Sequence, residues 1–536
     1  MDTPSRAFPA GKVHLLWLAL LFGLPLFLII LFTIHDYGFT WDEAETNFPA
    51  ARRQAIWFQK LLSGERCVNE ATVREYFETE SDHPSLPRTV MAFGRLLAPA
   101  QTADRIAFAW PTGLICALFH VVFVFFLSRR IGFFSSLFGS LVLFFHPRWF
   151  GHTHFAEYDI LIAVAWFYAA ASFWKVFEIL NDDNEGSLQK GFGWLLLSAG
   201  LFGLALATKL HAFFLPFPLL AWAMMCRKKG ILRWCCFAIL IPPGVYFLTQ
   251  PYLWWNTWER LVQRFTDYGA KVPITVFYLG EWFPGTTPWH YPWVLLWSTL
   301  PAGFLILSLV GIIGGLRSIC AGGADGRRKA EWFLFILLNA ATVPILFSFK
   351  SAYDGIRFFL PSLPFIAILA AEGYLSLNGY IHSLSAHPFS RLFIPVSAGL
   401  LVVSQIVTCY LIHPYQLEYY SLTAGGIRGA HHIGLETTYW CDAMTPDFIS
   451  NLARQIPPDA RIATHAMDDP PIREYQLAGD APMGWKFAKE GPVDCRILQF
   501  RQGFFGQQEQ RLVLERKPLV LRSVEGVPLI AAFPGP

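Results

Sequence analysis

Five short polar stretches interrupt a strongly apolar chain, and each carries side chains able to do proton or phosphate chemistry. "GFTWDEAE" (38–45) sets Asp42, Glu43 and Glu45 within four residues. "SDHPSLPR" (81–88) offers His83. "HPRWFGHTHFAEYD" (146–159) holds Arg148, His152, His154, Glu157 and Asp159. "TKLH" (208–211) supplies Lys209, and "FKSAYDGIRFF" (349–359) supplies Tyr353, Asp354 and Arg357. A carboxylate beside water can act as general base toward a hydroxyl or amine. Fixed cations next to it can hold a phosphate and neutralise the charge that grows on it as it leaves. Each stretch also has a plainer reading. A carboxylate after a membrane helix can be a solvated helix end, Arg148 or Lys209 can snorkel to the interface, and Asp354 with Arg357 can be a local ion pair. The histidines and carboxylates of "HTHFAEYD" can hold a divalent metal, but HxH with nearby carboxylates is a loose pattern and no metal or other cofactor is predicted from it.

What positions these groups is read from composition first. The 536 residues are 54% hydrophobic and 15% charged, with 50 Phe and 20 Trp, against roughly 25% charged residues in soluble domains. This is the composition of a membrane protein. A net charge of +3 gives no reason to expect nucleic acid as a partner. Nine cysteines include no CxxC pair, and a Cys441–Cys495 disulfide stays open if that region is extracytoplasmic. The apolar run that ends at Ile34 is longer than a signal-peptide core, so it reads as a retained first span.

A spanning helix needs about 20 mostly apolar residues. Eleven spans are predicted, at 14–34, 106–127, 131–146, 160–180, 191–207, 210–226, 232–250, 293–316, 332–349, 358–377 and 392–412. Lys and Arg concentrate in the loops that share a side with the N-terminus, including "RKKGILR" (227–233) and "GRRK" (326–329), which predicts N-terminus in and C-terminus out. All five polar stretches then face the outside. A first external loop (35–105) carries an amphipathic helix near 47–62, and an aromatic external loop covers 251–292. Its tryptophans read either as an interfacial belt or as part of a sugar pocket. The organisation expected is a transmembrane domain over 1–412, loop 35–105 included, and an extracytoplasmic α/β domain over 413–536. There "DFISNLARQI" reads as helix and "ARIATHA", "CRILQFR" and "VPLIAAF" as strands.

These residues resemble a known family. "WDEAE", "DHPSL", "HPRWFGHTHFAEYDI", "GLALATKLHAFFLP", "PWHYPWVLLWSTLP" (288–301), "YDGIRFFLPSLPFIAILAAEG" and "HPYQLEYYSLTAGGIRGA" (413–430) are together similar in order, spacing and side to the polyprenyl-phosphate-sugar-dependent glycosyltransferases of the GT-C fold, in particular the protein O-mannosyltransferase and aminoarabinose-transferase group. The resemblance implies an inverting sugar transfer from a polyprenyl-phosphate-linked sugar to a lipid, glycan or protein acceptor. It implies Asp42 as base, Glu43 as its alternative, and Asp159 as the second acidic position. His83 falls where the family has a His-Pro pair near the donor, though Ser85 stands in place of the family's second proline. By cation character and position, Arg148, Lys209 and Arg357 are candidates for the lipid phosphate. Tyr353, Asp354, Trp289 and Tyr291 are candidates for the substrate pocket. The expectation is a multi-pass protein of a bacterial inner membrane. A transporter or flippase of lipid-linked sugars, a lipid headgroup phosphotransferase and a non-catalytic scaffold are the rival readings. Against transport, the polar clusters gather at one face and the chain has no internal repeat.

Overall fold

A computed structural model describes residues 12–77, 83–180, 187–269, 274–384, 388–467, 469–488 and 491–535. Most of the linker "NDDNEGS" and the first two residues of "SDHPSLPR" fall outside them. Nine described helices are long and apolar enough to cross a membrane: Leu15–Asp36, Asp104–Ile131, Asp159–Leu180, Gly191–Thr208, Ile231–Leu248, Ala302–Ala321, Gly323–Phe347, Arg357–Leu384 and Leu392–Leu411. Two shorter apolar helices, Phe133–Phe144 and Leu210–Met225, lie where the third and sixth spans were expected. Each of the eleven expected spans therefore meets a helix.

The eighth span is broken in two, and the ninth begins at Gly323 instead of at 332. Residues 293–316 were expected to form one helix, but Tyr291–Thr299 is separate from Ala302–Ala321. Pro301 is the reason. It has no N–H to give the helix, and its ring pushes the preceding residue out of the helical region; Leu300 is extended at φ −71°, ψ 126°.

The fourth and tenth spans, Asp159–Leu180 and Arg357–Leu384, are the most enclosed. Apolar side chains line them on nearly all sides, as expected of central helices. The seventh and eighth leave most of their surface open, which suits helices facing lipid. Both central spans begin in a polar stretch, so their first turns set where the charged groups stand.

The amphipathic helix of the first loop is Phe48–Leu62, which buries Phe48, Ala51, Ala55 and Trp57. The aromatic loop contains a hairpin, β1 (Thr275–Tyr278) and β2 (Glu281–Pro284). Past residue 413 the chain builds a five-stranded mixed sheet from β3 (Arg461–His465), β4 (Lys486–Phe487), β5 (Cys495–Gln499), β6 (Val520–Val524) and β7 (Val527–Pro534), in the order β4-β3-β5-β7-β6. The expected tail helix and the three expected strands fall at Pro446–Ala453, β3, β5 and β7. All nine cysteines are free thiols, so Cys441 and Cys495 are not joined. The Cys441 thiol lies 3.4 Å from Gln499 Oε1 instead.

Candidate active site

Four chain segments build a charged cluster at one end of the bundle. The first leaves the first span at Asp36 and is fastened at once. Tyr37 donates to Gln416 (2.7 Å) and the Trp41 amide donates to the Trp440 carbonyl (2.9 Å). A Cβ on Gly38 would stand 2.1 Å from the Asp442 carbonyl oxygen, so only glycine lets the two strands of chain approach this closely. Glu43 then turns inward. One of its oxygens accepts from the Thr40 amide and hydroxyl (both 3.0 Å), the other from the Ala156 amide (2.7 Å). Asn47 donates to the Ala156 carbonyl (2.9 Å). Glu43 and Asn47 thus clamp the first loop onto the 146–159 loop.

The second segment is that loop. Glu157 accepts from the amides of Asp159 (2.7 Å) and Ile160 (3.0 Å), satisfying free N–H groups at the start of the fourth span. This cap fixes Asp159 in the first helical turn. His152 pairs with Glu157 at 2.9 Å, while His154 pairs with the Phe150 carbonyl (2.7 Å) and the Thr33 hydroxyl (2.8 Å). The two histidines of "HTH" therefore serve different partners, and among the described residues no group of three or more His, Cys, Asp or Glu could hold a metal ion. Burial pushes the His152 imidazole down to about 3, so it is neutral.

The third segment is the break between the fifth and sixth spans, where Lys209 is extended at φ −155°, ψ 142°. The fourth precedes the tenth span. Asp354 (φ +56°) and Gly355 (φ +64°) both take the left-handed conformation there. Gly355 has no alternative, since a Cβ would meet the Tyr439 ring and an Arg148 nitrogen at 2.7 Å.

The charges then interlock. Arg357 holds Asp42 (2.6 Å) and Asp354 (2.9 Å) and lies 3.7 Å from Asp159. Lys209 is in direct contact with Asp159. Arg501, from the loop after β5, closes on the other oxygen of Asp354 at 2.6 Å and donates to the Tyr439 carbonyl at 2.7 Å. Three aspartates thus face three cations. The Arg357 guanidinium also lies over aromatic rings, 4.9 Å from Trp440 and 5.3 Å from Tyr353. Arg148 stands behind the cluster. Its Nε donates to the Tyr419 carbonyl (2.9 Å) and its Cζ lies 4.6 Å from the centre of the Tyr420 ring, but among the described residues neither buried terminal nitrogen has a hydrogen-bond partner. Nearby, burial pushes the Asp442 carboxyl up to about 6 and raises Glu418 as well.

Asp42, Asp159, Lys209, Asp354, Arg357 and Tyr353 come together. His83 lies against Tyr158, the neighbour of Asp159, with the two rings tilted and 5.2 Å apart. Tyr291 is buried against Tyr278 at 5.0 Å. Trp289 is exposed, with its ring edge-on to His290. Glu43 lies apart from the interlocked charges, its oxygens taken by Thr40 and Ala156. Sequence reasoning did not single out Arg501, Trp440, Tyr439 or Glu436. The last lies 4.0 Å from Arg501. "HPYQLEYY" at 413–420 was singled out, and it contributes Gln416 and Glu418 to this region.

No family model and no curated protein matches the chain. Its fold is that of a solved structure, ArnT from Cupriavidus metallidurans in the apo state, with a TM-score of 0.50 at 14% identity over 97% of this chain and 98% of that one. Looser likenesses are to the same enzyme bound to undecaprenyl phosphate (TM-score 0.48, 14% identity, 98% of each chain) and to the Archaeoglobus fulgidus oligosaccharyltransferase tethered with an acceptor peptide (TM-score 0.48, 10% identity, 75% of this chain and 56% of that one). The chain is a polytopic helical membrane protein of GT-C type.

Proposed function

We propose that this chain is an integral-membrane glycosyltransferase, acting with inversion on a polyprenyl-phosphate-linked sugar at the extracytoplasmic face of a bacterial inner membrane. The observation that carries the reading is the unequal exposure inside one ion network. The Asp42 side chain keeps 29% of its surface open, while Asp159 keeps 3% and Asp354 5%. One carboxylate can meet an acceptor from water, and the buried ones hold cations in place. Asp42 takes the proton from the acceptor hydroxyl or amine. The acceptor atom attacks the anomeric carbon, the bond from that carbon to the phosphate oxygen breaks, and the electron pair leaves with the polyprenyl phosphate. Arg357 and Lys209 take up the growing negative charge. Both already hold carboxylates, so the donor phosphate must exchange with one of them. Drawing Arg357 toward the phosphate loosens it from Asp42, which frees the base when the donor is in place.

The likeness to ArnT supports the lipid-phosphate donor; the sugar and the acceptor, whether lipid, glycan or protein, are left to experiment. Asp42→Asn in reconstituted enzyme should lower kcat by about 10²–10⁴-fold with the fold intact. Near-normal transfer by that variant removes Asp42 from the role of base. Mass spectrometry of lipid-linked sugars and surface glycans in a deletion strain should show an accumulated donor together with the missing product, naming both substrates.

A further inference from the structure

A cavity of about 1110 Å³ opens at the other end of the bundle. The fourth span begins at Asp159 in the charged cluster and contributes Lys175 and Glu178, near its far end, to this cavity. The ninth runs the opposite way and contributes Arg328 and Lys329 from its first turns. At roughly 1.5 Å per residue, the length of the fourth span sets the two sites about one bilayer apart.

The mouth of the cavity is cationic. Arg129, Arg130, Lys175, Arg328 and Lys329 stand there against two carboxylates, Glu178 and Glu372. Glu178 is shared by Arg130 (2.8 Å) and Lys175 (2.5 Å), and Glu372 accepts from the Trp332 indole (3.0 Å). Among the described residues Arg129, Arg328 and Lys329 form no ion pair within 4 Å. The deeper wall is apolar and aromatic, with Phe126, Trp194, Leu201, Phe333 and Ile336, and the eighth span lines it with Gly311, Gly314 and Gly315. Apolar walls at membrane depth below a cationic rim at the interface match an amphiphile with acyl chains and an anionic head. The acyl chains gain little over neighbouring lipid, so selection rests on Arg129, Arg328 and Lys329, which outnumber the carboxylate near Lys329, Glu372. A zwitterionic head would set an ammonium against them.

We propose that this cavity binds one anionic phospholipid, its phosphodiester head held by Arg129, Arg328 and Lys329. This is a site separate from sugar transfer and independent of that reading. On the Lys/Arg bias the lipid belongs to the cytoplasmic leaflet.

The test is native mass spectrometry of the full-length protein in mild detergent, titrated separately with phosphatidylglycerol, phosphatidylethanolamine and undecaprenyl phosphate. One phosphatidylglycerol should be retained about tenfold more tightly than phosphatidylethanolamine, on the order expected for a few interfacial cations. The Arg129→Gln/Arg328→Gln/Lys329→Gln variant should lose that preference and keep its thermal stability within a few degrees. Equal binding of the two phospholipids, or a preference that survives in the triple variant, overturns the proposal. So does one-for-one displacement of phosphatidylglycerol by undecaprenyl phosphate, which would make the cavity a second site for the polyprenyl lipid.

Discussion

Asp42 and Glu43 are neighbours in sequence with opposite surroundings. Asp42 faces Arg357 and the open side of the cluster. Glu43 is buried, surrounded by N–H and O–H donors from Thr40 and Ala156, and burial pushes its carboxyl up to about 7 from an ordinary value of 4.5. The sign of its effect on stability follows. Between pH 4.5 and 7 the folded protein keeps a proton on Glu43 that the unfolded chain has released. The stabilisation is therefore full below pH 4.5 and is lost as pH rises toward 7. Glu436, also raised to about 7, and Asp442, raised to about 6, act in the same direction. In a thermal unfolding series from pH 5 to 7.5, Tm of Glu43→Gln should fall less steeply than Tm of the unaltered protein. Parallel slopes would mean that Glu43 titrates in the folded protein as it does in the open chain.

At the scale of elements, the site is four loop-to-helix junctions braced by the tail, and the brace has a consequence for activity. Arg501 touches no candidate reacting group, yet it holds Asp354, which holds Arg357. It is a positioning residue. Removing one partner of a buried pair strands the other charge and costs about 3–5 kcal/mol of stability, so single variants confound folding with function. The informative variant is Arg501→Gln/Asp354→Asn, which strands neither. It should unfold closer to the unaltered protein than either single variant, while the KM for donor rises about tenfold because Arg357 has lost its brace. Arg501→Lys should recover part of the loss. A double variant with unchanged KM would make the pair a purely structural staple. The brace also marks where sequence reading stops. The spans, the tail strands and the polar stretches were legible, because apolar runs and isolated charges in a greasy chain are local signals. Pairing is not local: Arg501 and Asp354 are 147 positions apart. Likewise nothing in "WDEAE" says which carboxylate turns inward, since that depends on the Ala156 amide from another loop. The break at Pro301 could be read, but the apolar run around it hid it.

Across the whole molecule, charge is divided between two ends. The interlocked network and the sheet-bearing tail lie at one end. Arg129, Arg130, Arg328, Lys329 and the cavity they line lie at the other. The tail is tied to the first loop by Arg52–Glu474 (2.8 Å) and by the Phe39–Tyr475 ring pair (4.8 Å), so loop and tail must share one side of the membrane. If charge bias sets orientation, that side is outside and the native Cys320, exposed near the end of the eighth span, is inside. A membrane-impermeant maleimide applied to intact cells tests this with Asp480→Cys, an exposed turn position after Pro470–Ala478, in a background carrying Cys236→Ala. The reagent should label the cysteine at position 480 in whole cells and reach Cys320 only once the membrane is opened. The reverse pattern would turn the whole molecule over, placing Asp42 and Arg357 in the cytoplasmic leaflet. A base waiting there for an extracytoplasmic acceptor would have no access to it, and the proposed transfer would fail with the orientation.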